Sequence, residues 1–339
     1  MADSLCLAID TMGGDFGPRT TVPATLDILR QHPSLRVVLF GDSSQIQQYL
    51  TNISDVNADR YRVHHCTETV SMDEKPSSAV RNKHDSSMWQ ALKLVADGEA
   101  NACVSAGNTG ALMAMSLLQL RTLPGITRPA ICTKVPTAKN YTYLLDLGAN
   151  VVCSAEQLYQ FGMMASQAVS VIDGNQVPSV SLLNIGVEDI KGRQEILDAA
   201  ELLKADNDIH YVGFVEGDDI FKGDVDIVVC DGFSGNVALK ASEGVALMLQ
   251  GFLKQALSKS LLAKIGALLA KSVLKKLQQK VDPSEYNGAS LLGLKGVVVK
   301  SHGGASRNGF SRAVIVALNE AQRDLPSLIE GRLKNLTSQ

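Results

Sequence analysis

The 339-residue chain is poor in aromatic residues, at 5% with a single Trp, and it lacks a surplus of either charge: 32 Lys+Arg against 35 Asp+Glu leave −3. Without a large basic excess, a dedicated nucleic-acid binder is excluded. No apolar run reaches the roughly 18 residues of a membrane-crossing helix. The start Met1-Ala2-Asp3-Ser4 has no basic stretch, so no secretory leader is expected either. None of the cysteines, Cys6, Cys66, Cys103, Cys132, Cys153 and Cys230, forms a CxxC pair. That spacing argues against a disulfide framework and for dispersed thiols in a reducing cytoplasm. HExxH, paired carboxylates and clustered Cys/His are missing, and His64 and His65 are adjacent in a strand, where neighbours face opposite sides. No metal is expected. GxGxxG, GxxxxGK[ST] and GxSxG are absent too, which leaves a Rossmann dinucleotide site, a P-loop and a serine-hydrolase elbow unsupported.

What is present is an ordinary globular composition, 45% hydrophobic with 28 Gly, and one repeating pattern. A short apolar run ends in a Gly/Asp/Asn-rich turn, and a helical stretch follows. The runs are Leu5 to Asp10, Leu35 to Phe40, Ala102 to Ser105, Tyr141 to Asp146, Ser179 to Asn184, Val225 to Cys230 and Gly296 to Lys300, with a helix from about Pro18. The stretch Asn52 to Asp59 reads as an exposed loop. Alternating strands and helices predict an α/β fold with a mostly parallel sheet flanked by helices. No Pro- or Ser-rich linker divides residues 1–339, so a single α/β catalytic unit is expected. In a parallel sheet every strand-to-helix turn lies on one edge, and the glycine turns are expected to converge on one crevice.

Two turns suit an anion. Gly13-Gly14-Asp15 and Ser105-Ala106-Gly107-Asn108-Thr109-Gly110 each follow a strand and open a helix, where backbone N–H groups can cradle phosphate or carboxylate. Lys191, just past a strand end and followed by Gly192, is placed either to offset negative charge or to sit solvated in a loop. Asn236, near a helix start, reads equally as a cap or as a donor to an acyl oxygen. His302 precedes two glycines and reads as an acid/base group or as a structural histidine. Cys103 and Ser105 read as core packing and a turn hydroxyl rather than as nucleophiles.

Charge is unevenly spread. Residues 244–281 contain no Asp or Glu, while Lys254, Lys259, Lys264, Lys271, Lys275, Lys276 and Lys280 give seven positive charges and no negative ones, +7 locally. At 100° per residue, Leu257, Leu261, Ile265, Leu268, Leu269 and Val273 share one broad face, with Lys264 and Lys271 at its edge. This predicts a protruding basic amphipathic helical segment that docks on anionic lipid or on an acidic protein. The bland alternative is a core-facing helix with a solvated lysine side.

The ordered turns also carry a resemblance. Ile9-Asp10-Thr11-Met12-Gly13-Gly14-Asp15, Ser105-Ala106-Gly107-Asn108-Thr109-Gly110-Ala111, Asp146-Leu147-Gly148-Ala149-Asn150, Asn184-Ile185-Gly186 with Lys191-Gly192, and Asp231-Gly232-Phe233-Ser234-Gly235-Asn236 closely resemble the bacterial phosphate acyltransferase (PlsX) family, in family order. Tyr286-Asn287-Gly288-Ala289, Leu291 to Gly296 and Lys300-Ser301-His302-Gly303 extend the match across nearly the whole chain. The resemblance implies a fold of the phosphotransacetylase and isocitrate dehydrogenase type, a homodimer, and no organic cofactor. It implies conversion of acyl-(acyl-carrier-protein) and orthophosphate to acyl phosphate and free carrier protein, feeding a membrane glycerol-3-phosphate acyltransferase in phospholipid synthesis. In that chemistry Lys191 would offset phosphate and oxyanion charge, Asn236 would donate a hydrogen bond in the same place, and His302 would give a proton. Gly13, Gly14, Asp15, Ser105, Gly107, Asn108 and Thr109 would hold phosphate. Asn150 would also contact phosphate or substrate, while Asp10, Asp146 and Asp231 would orient the donors, since carboxylates facing phosphate would repel it. Lys254, Leu257, Leu261, Lys264, Ile265, Leu268, Leu269 and Lys271 would meet membrane or carrier protein. The chain departs from the family at Val151-Val152-Cys153, where an acidic residue is usual, and at Trp89, where a basic one is. Competing readings are a phosphotransacetylase using acyl-coenzyme A, a decarboxylating dehydrogenase, and a non-catalytic scaffold recruiting lipid-synthesis enzymes.

Overall fold

The computed structural model describes residues 5–51, 53–274 and 282–337. Its strands are β1 (Cys6–Asp10), β2 (Arg36–Gly41), β3 (Tyr61–His65), β4 (Ala102–Ser105), β5 (Ala130–Pro136), β6 (Tyr141–Leu145), β7 (Ser179–Leu183), β8 (His210–Val215), β9 (Ile227–Val229), β10 (Ala289–Leu292) and β11 (Val297–Lys300). They form one sheet in the order β3-β2-β1-β4-β11-β10-β5-β6-β9-β7-β8. Every strand expected from an apolar run is there. Of the other four, β3 was expected only as the strand holding His64 and His65, and β8, β5 and β10 were not expected; β3 and β8 are the outermost strands, while β5 and β10 lie in the middle.

Those two decide the geometry. The pairings β11–β10, β10–β5 and β5–β6 are antiparallel, and all others are parallel. Three reversals are an odd number, so β6, β9, β7 and β8 run opposite to β1, β2, β3, β4 and β11. One transverse row makes this explicit: Ile9, Val104, Val299, Ser290, Cys132, Leu145 and Val229 are successive partners. From that row Asp10, Ser105 and Lys300 lie one step towards one edge, and Asp146 and Cys230 one step towards the other. The expected single crevice at one edge is therefore corrected. The glycine turns divide into two groups on opposite edges.

Helices cover both faces: α1 (Pro18–Gln31), α2 (Ser43–Leu50), α3 (Pro76–Asn82), α4 (Ser87–Ala96), α5 (Thr109–Leu120), α6 (Ala155–Asp173), α7 (Gln194–Ala205), α8 (Gly232–Ser258), α9 (Leu261–Leu269), α10 (Arg307–Gln322) and α11 (Leu325–Thr337). Strand alternation sorts the core. Leu7 and Ile9 face α1 and α10 through Val22, Leu26, Phe310 and Val314. Ala8 and Cys103 face α4 and α5 through Met88, Leu92 and Leu112. In the second half, Leu145, Leu182 and Val229 pack on α6 and α7. Leu144 and Val228 belong to the α4/α5 side, where Ala238 and Leu239 of α8 are half-buried. So α8 and α5 share a face of the sheet. All six cysteines are free, and five are buried.

The basic segment divides. Helix α8 ends at Ser258, and Ser260 adopts extended geometry and caps α9 by accepting from the Ala263 N–H at 3.1 Å. One continuous helical phase across Leu257 to Val273 is thus corrected to two helices packed against each other. Only Gly232 and Gly235 of α8 are buried. Leu257 is half-buried, Lys254, Lys264, Ile265 and Lys271 are exposed, and Leu268 and Leu269 are 69% and 82% exposed. A core-facing helix is not what forms. Lys275, Lys276 and Lys280 lie outside the described residues. Among the described residues no helix is long and apolar enough to cross a membrane.

Candidate active site

The first group of turns is built on Asp10. Its carboxylate, 1% exposed, accepts from the Ser87 and Ser105 hydroxyls at 2.6 Å each and from the Met12 and Gly13 amides. Burial pushes its pKa up, and these donors pull against that shift. The Ser105 hydroxyl in turn accepts from the Gly107 N–H at 3.0 Å, so Asp10 ties β1, α4 and the β4 turn together. The turns interlock tightly. A Cβ on Gly13 would stand 2.5 Å from the Gly107 nitrogen. One on Gly14, where φ is +83°, would stand 2.7 Å from the Gly303 oxygen. The exposed Asp15 also donates its N–H to the Gly303 oxygen at 2.9 Å.

Asn108 is fully engaged in structure. Its amide nitrogen donates to the carbonyls of Met72 and Glu74 at 2.9 and 3.0 Å, and its oxygen caps α5 at Ala111. What this turn offers an anion is backbone, together with the exposed Thr109 at the helix start. The His302 ring is exposed, and its Nδ1 accepts from the Gly304 N–H at 3.1 Å. In the neutral ring this leaves the Nε2–H free to donate a hydrogen bond.

The second group surrounds Asp146 and Asp231. Asp146 is fully buried and accepts from the amides of Ile131 (2.9 Å), Ala149 (3.2 Å) and Asn150 (2.6 Å) and from the Asn150 side chain (3.0 Å). Asp231 caps α8 by accepting from the Ser234 N–H at 2.7 Å and is paired with Arg193. Because Asp231 is the cap, Asn236 is not, and its side chain lies beside Gly148 instead. Lys191 is exposed and bonded to Glu188 at 2.8 Å, which raises its pKa. Around this group stand the exposed apolar side chains Val151, Val152, Ile185, Val187, Ile190 and Phe233. Burial pushes the Cys103 and Cys230 thiols far up, so neither is a thiolate at neutral pH.

The two groups are on opposite edges but not isolated. Helix α8 starts at Asp231, carries Asn236 beside Gly148, and one turn later brings Lys240 within electrostatic reach of Lys300. Four residues span about 6 Å of helix. The first turns of α8 therefore bridge from the second group to the first.

Composition and spacing missed Ser87, Arg193, Lys240 and Lys300. Lys300 did leave a trace, as the single charged residue closing the apolar run Val297–Val299, and Arg193 opens a helix directly after Gly192.

Residues 5–328 match the family model described as a fatty acid synthesis protein. A phosphate acyltransferase of Methylococcus capsulatus is 53% identical over 97% of each chain. The chain belongs to the phosphate acyltransferase family. A second relative so named, from Halorhodospira halophila, is 49% identical over 99% of this chain and 98% of its own. The fold is that of phosphotransacetylases: the Streptococcus pyogenes enzyme superposes with a TM-score of 0.63 over 95% of each chain, at 16% identity. The protein is accordingly an acyltransferase.

Proposed function

We propose that the protein transfers the acyl group of an acyl-(acyl-carrier-protein) to orthophosphate. A phosphate oxygen attacks the thioester carbonyl, the C–S bond breaks, and the carrier's thiolate leaves and takes up a proton. The observation that carries this reading is the pair of turn groups bridged by α8. One offers interlocked backbone turns to an anion. The other offers Asn236 within an apolar rim suited to an acyl chain. In both, the buried carboxylates point at turn N–H groups, so neither Asp10 nor Asp146 presents free negative charge to phosphate. A thiolate leaves readily, so positioning and charge stabilisation supply most of the acceleration. Asn236 donates to the developing oxyanion, Lys191 assists on release from Glu188, and the neutral His302 donates a hydrogen bond from Nε2–H to a bound oxygen while the thiolate takes its proton from water.

The α8–α9 pair extends the proposal. Its exposed apolar side chains, and its lysines beyond Gly244 with no acid among them, suit two roles: α8 meets a second copy in a homodimer, and α9 rests on an anionic membrane. A cytoplasmic enzyme touching the bilayer there delivers acyl phosphate, whose acyl chain favours the bilayer, to a membrane glycerol-3-phosphate acyltransferase.

Incubation of the purified protein with long-chain acyl carrier protein and labelled phosphate tests the reaction. Phosphate-dependent acyl phosphate is expected, and its absence sinks the reading. Acyl-coenzyme A as the donor is expected to react poorly; equal rates would make the protein a phosphotransacetylase in activity as well as in fold.

A further inference from the structure

We propose that Lys300, rather than Lys191, is the positioning residue that supplies positive charge to the orthophosphate site. This rests on the acyl-transfer reading above. Four cations lie near the turn groups. Lys191 is exposed and held by Glu188, and Arg193 is paired with Asp231. Both belong to the second group. Lys240 is exposed on α8.

Lys300 differs from all three. It ends β11 at the level of Asp10 and Ser105 and is only 8% exposed. Its Nζ donates to two backbone carbonyls, Ala106 at 3.3 Å and Ser301. Those carbonyls belong to the β4 and β11 turns, so one ammonium pins both. Among the described residues it has no carboxylate partner in an ion pair, because Asp10 is committed to Ser87, Ser105 and the turn amides. A buried cation without an anion is costly. An anion bound beside these interlocked turns would complete it, at a place where α1 and α5 also begin.

The charged groups facing Lys300 are Asp10 on β1, Asp15 in the following turn and Lys240 on α8, with His302 on its own turn. Burial, reinforced by Lys240 and opposed by the two aspartates, lowers its pKa to about 8. Phosphate affinity should therefore weaken as pH rises through about 8 and the charge is lost.

The test varies inorganic phosphate at fixed acyl carrier protein substrate across neutral to alkaline pH. Lys300→Met should raise the phosphate KM roughly ten- to a hundredfold, the worth of one charge-assisted contact, and leave the acyl-donor KM near the parent's. Lys300→Arg, which keeps a charge at every pH used, should retain phosphate KM near neutrality and lose the alkaline rise. Lys240→Gln should move that rise to higher pH and Asp15→Asn to lower pH, shifts that a purely structural lysine does not produce. Should Lys300→Met fail to fold, the Arg and Lys240 variants decide. An unchanged phosphate KM in Lys300→Met, or an alkaline rise persisting in Lys300→Arg, overturns the proposal. So does a large phosphate-KM effect in Lys191→Ala alone. Calorimetric binding of inorganic phosphate separates the two readings. Lys300-dependent binding by a parent that makes no acyl phosphate overturns acyl transfer and supports this site; turnover with Lys300-independent binding does the reverse.

Discussion

Glu320 shows how a single side chain can couple this fold to pH. It sits on α10, 3% exposed, and accepts a hydrogen bond from the Ser290 hydroxyl of β10. Burial pushes its pKa up to about 7. In the unfolded chain a glutamate titrates near 4.3. Because the folded pKa is the higher one, the folded state prefers the protonated form. The contribution is fully present below about pH 4 and is lost as pH rises through about 7. A separation of two to three pKa units corresponds to about 3 kcal/mol. Urea unfolding of the parent and of Glu320→Gln at pH 5 and pH 8 checks this. The parent should lose clearly more stability towards pH 8 than the variant; parallel losses would remove Glu320 as the cause. Sequence alone hides such a residue, since a glutamate late in a helix reads as solvated, and only the packing of α10 on β10 buries it. Lys300 is hidden for the same reason. Asp10 was legible because an acid that ends an apolar strand before two glycines has turn N–H groups immediately ahead of it.

At the level of elements, the strand runs from Leu5 to Lys300 were legible because β-branched, apolar stretches bounded by glycine have few other uses. Their directions were not. The reversal rests on β5 and β10, and Ala130–Pro136 and Ala289–Leu292 carry Pro, Lys, Thr and Ser that blur an apolar signal. The basic segment shows a similar limit: its periodicity was visible, but the Ser260 break was not, because a serine inside a helical pattern is unremarkable until it turns to cap. The break sharpens one prediction. Ile265 is half-exposed on α9, and Leu268 and Leu269 lie within one further turn. Ile265→Glu places a charge in the middle of this patch at little cost to folding, since the residue is not buried. In flotation with vesicles rich in anionic lipid, the parent should rise with the vesicles and Ile265→Glu should remain largely behind. Equal flotation would assign the lysines, or another surface, to the membrane.

For the molecule as a whole, the unresolved balance is between the sheet and what projects from it. The sheet buries its apolar residues on both faces, whereas α8 leaves Val245, Leu249 and Phe252 more than half exposed. A patch of this kind marks an interaction site. The proposed homodimer assigns it to a second copy of the chain, and a two-fold contact would bring the same α8 face from each subunit together. On that proposal the two halves of the projecting pair differ in task, α8 meeting protein and α9 meeting lipid. The prediction is specific. With 36.2 kDa per chain, two chains give 2 × 36.2 = 72.4 kDa. Sedimentation equilibrium at micromolar protein should return that mass, and Leu249→Glu with Phe252→Glu should return the single-chain mass while the circular dichroism of the sheet is retained. The doubled mass persisting in the variant would place the dimer contact elsewhere. A parent that sediments as a monomer would instead leave the whole of α8 and α9 to the membrane, and the α8 variant should then lose flotation together with Ile265→Glu.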